Sequence, residues 1–365
     1  MDTDQILGFG LLLIGAICGG SFGLPSKFAK KDTPWEVLWG PFFLMVTILI
    51  PVVVAPLVVN DLGGIYSRVN AEHSGTIVTV LLFGLLWGLG SMTLGMSFAF
   101  IGLSLAYALN YGAQIVFGSM GPMLISHSDQ VFTSHGGVIL AGVAVCLAGV
   151  IVSGKAGILK EESSQGGLEA EALGESPAAS GKNPRMLIGL LIGVTSGILC
   201  ACWAVALEFT KPIGAEATAG KLNPEWAAAW AVTALILWGG AVSSCLYCIV
   251  QLTKNKTWGH FAKPGVGLVL ALAAAMAVLH DAAVFFLGLG MFKLGKELSV
   301  TVGYPVFMSF AIIVGNVHGF RTGEWKGASR RSVGWIVAGI ALLVIGVCIL
   351  AKGQSMMAGI PETRP

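Results

Sequence analysis

Charge is what this chain has least of. Only 11% of its 365 residues are Asp, Glu, Lys or Arg, against roughly 25% in a soluble globular protein. The stretch Phe83 to Ile125, FGLLWGLGSMTLGMSFAFIGLSLAYALNYGAQIVFGSMGPMLI, holds no Asp, Glu, Lys, Arg or His at all. Catalytic signatures are missing too. No G-x4-G-K-[ST] loop occurs to bind a nucleotide phosphate, and no H-E-x-x-H to bind zinc. The six Asp residues never fall in a DxxxD pair, which argues against a magnesium-dependent membrane prenyltransferase. Seven cysteines are scattered, and Cys245-x-x-Cys248 lacks the second Cys or His pair of a structural metal site. Neither metal nor cofactor is expected. A net charge of +2 makes no electrostatic case for nucleic acid or acidic partners. Asp2 and Asp4 lead the first apolar run and Lys27, Lys30 and Lys31 follow it, the reverse of a cleavable secretory signal.

What fills the space is hydrocarbon. The chain is 55% hydrophobic with a mean hydropathy of +0.82, which reads as an all-α polytopic membrane protein. A bilayer core takes roughly 20 apolar residues at ~1.5 Å rise each. The 83–125 stretch is therefore long enough for two spans, with a break expected near Ile101-Gly102, where Gly permits a tight turn. Ten spans are expected, near 5–26, 34–59, 76–100, 102–126, 136–153, 185–208, 224–252, 265–292, 297–318 and 333–351. Small-residue motifs such as Gly15-x3-Gly19, Gly84-x3-Gly88 and Gly193-x3-Gly197 read as helix contacts. Residues 154–184, rich in Glu, Ser, Gly and Ala, read as a flexible cytoplasmic linker between a first unit, 1–153, and a second, 185–365.

The two units echo each other. Trp35-x3-Trp39 recurs as Trp226-x3-Trp230, and Ile101-Gly102-x-x-Leu105 with Tyr111 as Leu294-Gly295-x-x-Leu298 with Tyr304. Gly142, Gly149 and Lys155 recur as Gly339, Gly346 and Lys352. Each unit has five spans, an odd number, so the second enters the membrane from the opposite side: an inverted repeat, common in secondary transporters. Connections on one side carry 14 Lys and Arg, against 7 on the side with both termini. The positive-inside rule then places both termini in the periplasm.

Candidate site residues follow from depth in the membrane. Tyr107, Asn110, Tyr111 and Gln114 lie within an expected span and could bond a neutral, hydroxyl-rich solute, or could equally join helices to one another. Trp39 could stack on a sugar ring or anchor at the interface, as could Trp203 and Trp238. Tyr304 matches Tyr111 in the other unit, and Pro305 beside it interrupts the helical ladder. His280-Asp281 falls near the centre of the eighth span. Ionisable residues at that depth cost at least ~2.5–3.5 kcal/mol on insertion scales and usually serve a function. Asp281 is the first candidate for proton coupling and His280 the second; the alternative is a structural pair.

Several of these marks together resemble the bacterial L-rhamnose–proton symporter family. They are GLLWGLG at 84–90, then Gly95, Gly102, Ser104, Gly112, Gly118, Pro122 and Ile125. Pro25-x-Lys27 with Lys30-Lys31, Trp35-Glu36, Lys211-Pro212 and Glu324-Trp325 with Arg330-Arg331 extend the likeness along nearly the whole chain. The resemblance implies the drug/metabolite transporter superfamily fold, two inverted five-helix repeats, and uptake of a small sugar with protons across the inner membrane. An exporter of metabolites or drugs on the same fold is the alternative; a membrane-embedded sensor or assembly partner is the reading from another class.

Overall fold

The computed structural model describes residues 3–126, 131–173, 184–298 and 303–358, and among these every regular element is helical. In hydrocarbon the backbone has no water to bond, so each span must satisfy its own N–H and C=O groups as a helix. The helices are α1 (Thr3–Ser21), α2 (Trp35–Leu44), α3 (Ile50–Val58), α4 (Leu62–Glu72), α5 (Thr76–Ser126), α6 (Ser134–Leu173) and α7 (Pro184–Cys200). They continue as α8 (Cys202–Phe209), α9 (Lys211–Thr218), α10 (Glu225–Lys254), α11 (Val266–Leu298), α12 (Tyr304–Arg321) and α13 (Arg330–Ala358).

Eight helical segments among the described residues are long and apolar enough to cross a membrane. One joins α2 and α3 through a π-helical turn at Met45–Leu49; Pro51, which has no N–H to give, opens α3 directly after it. Another, Thr76–Gly118, is too long for one crossing. It is interrupted where expected: Gly102 has φ 79° and ψ 172°, outside any helix. A shorter apolar helix covers Val306–Arg321. α6 runs on past 153 to Leu173, so the first part of the stretch read as a flexible linker is helical; 174–183 lie outside the described residues.

Contacts among the spans run in a closed circuit. α1 lies between α11 and α12, α11 meets α2, and α2 and α3 meet α10. α10 meets the first half of α5 at Gly84 and Gly88, while α7 lies against both halves, at Gly90 and at Asn110. The second half of α5 meets α12 at Gly315 and Gly319, which returns the circuit to α1. α6 and α13 pair outside it, against Gly112.

Lipid tails are as apolar as leucine, so the circuit is held less by hydrophobicity than by close backbone approach. A Cβ on Gly84 would lie 2.3 Å from the Ile236 carbonyl, and one on Gly239 2.3 Å from the Leu81 carbonyl. Gly10, by contrast, has nothing within 4 Å. Gly84→Ala is therefore expected to destabilise the purified protein by about 1–3 kcal/mol, the usual cost of overpacking, whereas Gly10→Ala leaves thermal unfolding in detergent unchanged or slightly raised. Equal midpoints for the two variants would refute this account of the α5–α10 seam.

Candidate functional site

At one end of the circuit the interior is filled with aromatic rings. Phe22 follows α1, Trp39 and Phe42 come from α2, Phe98 from the first half of α5 and Tyr107 from the second. The Phe22 and Phe42 rings stack at 6.0 Å, and Phe22 meets Tyr107 edge-on at 5.9 Å. Trp39 stacks on Trp35 at 5.7 Å, meets Phe42 edge-on at 5.1 Å and lies over Gly95. Trp39 is thus buried within the plug instead of sitting at a lipid–water interface.

His280, on α11, enters this cluster. Its ring stands edge-on to Phe22 at 5.5 Å and to Phe42 at 6.0 Å, and tilted to Trp87 at 6.0 Å. Successive side chains diverge by about 100° around a helix, yet His280 Nδ1 and Asp281 Oδ1 lie 3.0 Å apart. One proton joins them at that distance. The two side chains are 14% and 7% exposed, and Asp281 Oδ2 is buried with no hydrogen-bond partner among the described residues. Both groups are ionisable, and the apolar segment Val266–Met291 that carries them holds no other charged residue.

Tyr107 and Tyr111 both dock on the end of α1. The buried Tyr107 hydroxyl accepts from the Gly23 N–H at 2.9 Å, and the Tyr111 hydroxyl donates to the Gly19 carbonyl at 3.1 Å. Their rings are 5.3 Å apart. Phe22 joins Tyr107 and His280 in one cluster, which Tyr111 enters through Tyr107 and Trp39 through Phe42 and Phe98. Asn110 points elsewhere. Its Nδ2 donates to Ser196 Oγ at 2.8 Å and reaches Cys200 Sγ at 3.7 Å, and Gln114 Nε2 donates to its Oδ1 at 3.3 Å. Asn110 thus occupies the seam between α5 and α7, and Gln114 bonds it from one turn further along α5. Trp203 meets Trp87 edge-on at 5.1 Å, whereas Trp238 packs on Tyr66. Tyr304 opens α12, but its side chain, like that of Pro305, lies outside the described residues.

Sequence reasoning did not assign Phe22, Phe42 or Trp87 to the site. Aromatics at helical spacing usually mean core, and only the imidazole they surround distinguishes these. Nor did it pair Lys27 with Glu324, which lie 2.8 Å apart. Among the described residues no group of three or more His, Cys, Asp or Glu could hold a metal ion.

Apolar crossing helices, a charge-poor interior and an ionisable pair buried among aromatic rings define a polytopic helical membrane protein. Comparison with known proteins is more specific. The family model for L-rhamnose-proton symport protein matches residues 1–358, and the chain belongs to that family. An L-rhamnose-proton symporter of Citrobacter koseri is 27% identical over 97% of this chain and 100% of its own length. One of Yersinia pestis is 26% identical with the same coverage. No solved structure matches. The family is one of transporters, not enzymes.

The Tyr107 hydroxyl can be tested directly. Tyr107→Phe leaves the buried Gly23 N–H without its acceptor, a loss of about 1–3 kcal/mol, expected as a lowered unfolding midpoint in detergent. Tyr111→Phe removes a longer bond, 3.1 Å against 2.9 Å, made by a hydroxyl on a half-buried side chain, and is expected to cost less. The reverse order would show that the Gly23 bond contributes little.

Proposed function

We propose that this chain is a proton-coupled secondary transporter that imports L-rhamnose or a related deoxy sugar across a bacterial inner membrane. The observation that carries the reading is the buried His280–Asp281 pair, ionisable and walled by aromatic rings. A pair able to change charge by one proton there can couple protonation to solute binding, provided the solute has different affinities for the two states. The names of the relatives support the sugar, and apolar ring faces beside Tyr107 and Tyr111 suit a solute with one hydroxylated and one methylated side. Asn110 fits better as a bond between α5 and α7, with Gln114 bonding it from within α5. Import is favoured over export by relatives named symporters along their full lengths.

The ten-span, inverted-repeat architecture is part of the same proposal. Counting α5 as two crossings at Gly102 and adding Val306–Arg321 to the eight long spans gives ten. Exchanging each of the first five with its counterpart among the last five maps the circuit of contacts onto itself. α1–α11 corresponds to α7–α5, α1–α12 to α7 with the second half of α5, and α11–α2 to α5–α10. A pseudo-two-fold axis produces that pattern, and an odd number of spans per unit makes the units antiparallel. Units 1–153 and 185–365, periplasmic termini and a cytoplasmic Lys- and Arg-rich face complete the reading.

Proteoliposomes test it. An inward proton gradient is expected to drive labelled L-rhamnose above its external concentration, and a protonophore to abolish that accumulation. Asp281→Asn is expected to lose at least tenfold in accumulation. Full accumulation by Asp281→Asn removes the pair from coupling; no uptake of L-rhamnose or other deoxy sugars by the parent removes the substrate assignment.

A further inference from the structure

The break at Gly102 leaves the first N–H groups of the second half of α5 without intrahelical acceptors. A local Ser, Thr, Asp or Asn usually supplies the missing acceptor. Here it comes from far along the chain. Glu324, in the connection between α12 and α13, accepts from the Leu103 N–H at 2.6 Å and from the Ser104 N–H at 2.9 Å. The same carboxylate pairs with Lys27 Nζ at 2.8 Å. Lys27 belongs to the short 3-10 segment Leu24–Phe28 that follows α1.

The seat for this carboxylate is tight. A Cβ on Gly102 would lie 2.7 Å from Glu324 Oε2, and one on Gly319 equally 2.7 Å from it. The loop that presents Glu324 is itself anchored, because the buried Trp325 stacks on Phe320 at 5.6 Å, with Lys160 Nζ 4.9 Å from its ring centre. Beneath the seat lie Gly23, Phe98 and Tyr107, and beneath them Phe22 and His280. The carboxylate therefore ties three connections together directly over the aromatic plug. A second tie lies alongside: Glu36 Oε1 accepts from Thr257 Oγ1 at 2.8 Å and from Asn255 Nδ2 at 3.0 Å.

Ties at the opposite end are of another kind. Arg68 bonds Glu216 and Asp61, and Lys293 bonds Asp4, all at partly or well exposed side chains. A small cleft of about 40 Å³ lies there between α10 and α11, lined by Trp226, Trp230, Phe285 and Leu289 among others. One end is latched over a filled interior and the other has a cleft.

We infer that Glu324, held by Lys27 and by the Leu103 and Ser104 N–H groups, is the latch of the gate on the Lys- and Arg-rich face, and that it releases once in every transport cycle. The inference rests on the transporter reading above. Its chemistry suits repeated release. Each partner is a hydrogen bond or an ion pair that water can replace when the face opens, and Lys27, 29% exposed, already reaches solvent. Glu324 and Lys27 are thus gate residues with no contact to the solute.

A removable cross-link tests the cycle. In the full chain bearing Lys27→Cys and Glu324→Cys, a short bis-methanethiosulfonate joins positions 27 and 324, the link being verified by mass spectrometry. L-Rhamnose uptake into proteoliposomes is expected to fall at least tenfold on linking and to return on reduction with dithiothreitol, while the parent given the same reagent is unaffected. A linked carrier that transports at its unlinked rate overturns the inference. A second measurement needs no sugar, so it still decides the matter if the parent moves no L-rhamnose or the double variant is inactive. In Phe98→Cys, a membrane-impermeant maleimide supplied from the Lys- and Arg-rich face labels position 98, read by peptide mass spectrometry. Adding Glu324→Gln is expected to speed that labelling about tenfold, and an unchanged rate rejects the latch.

Discussion

Helices in a bilayer have no hydrophobic reason to prefer one another to lipid, so their association depends on how closely their backbones can come. Glycine sets that distance throughout this molecule. Gly84 faces Gly239, Gly88 faces Gly240, Gly8 faces Gly290, and Gly142 and Gly149 face Gly346 and Gly339. At each seam an added methyl would meet a carbonyl oxygen or a backbone carbon at about 3 Å or less. Large rings use the same clearance: Trp39 lies over Gly95, Trp87 over Gly240 and Tyr107 over Gly315. The aromatic plug at one end of the circuit therefore packs against glycine as closely as the helices do against one another.

The same backbone accounting explains why residues distant in sequence govern the break in α5. A helix interrupted within a membrane protein leaves donors that cost free energy unless paired. At Gly102 the positive φ redirects the chain with little steric penalty, but it creates the debt that the Glu324 carboxylate settles. An acid at a helix N-terminus also meets the positive end of the helix dipole. The Lys27 ammonium then compensates a carboxylate whose side chain is only 7% exposed. One break therefore requires a cation from the connection after α1 and an anion from the connection after α12.

Local features of this arrangement were legible in the sequence, and long-range ones were not. The uncharged run between Phe83 and Ile125, with Gly102 inside it, announces an interrupted helix because span length and glycine conformation are local properties. The isolation of His280-Asp281 within an apolar run likewise marks an ionisable pair at depth. Which helix faces which is another matter. Asn110, Tyr107 and Tyr111 share a few turns of α5, yet Asn110 turns to Ser196 on α7 while the two tyrosines turn to Gly23 and Gly19. A polar residue reads the same in sequence whether it faces a cavity or a neighbouring helix. Glu324 looked like one more charge in a polar loop because its donors lie more than 200 positions away.

Tyr107 shows how the break and the buried pair belong to one mechanical unit. It stands one turn beyond Leu103 and Ser104, on the helix whose first N–H groups Glu324 holds. Its hydroxyl grips Gly23, and Gly23 lies between Phe22 and the segment carrying Lys27. Phe22 in turn meets both the Tyr107 ring and the His280 imidazole. Movement of residues 24–28 away from Glu324 must therefore carry Gly23 or stretch its bond to Tyr107, and either change shifts the ring against His280. Coupling of this kind needs no long wire. In the proposed cycle, this handful of close contacts is what links the charge on the buried pair to the closure of one face.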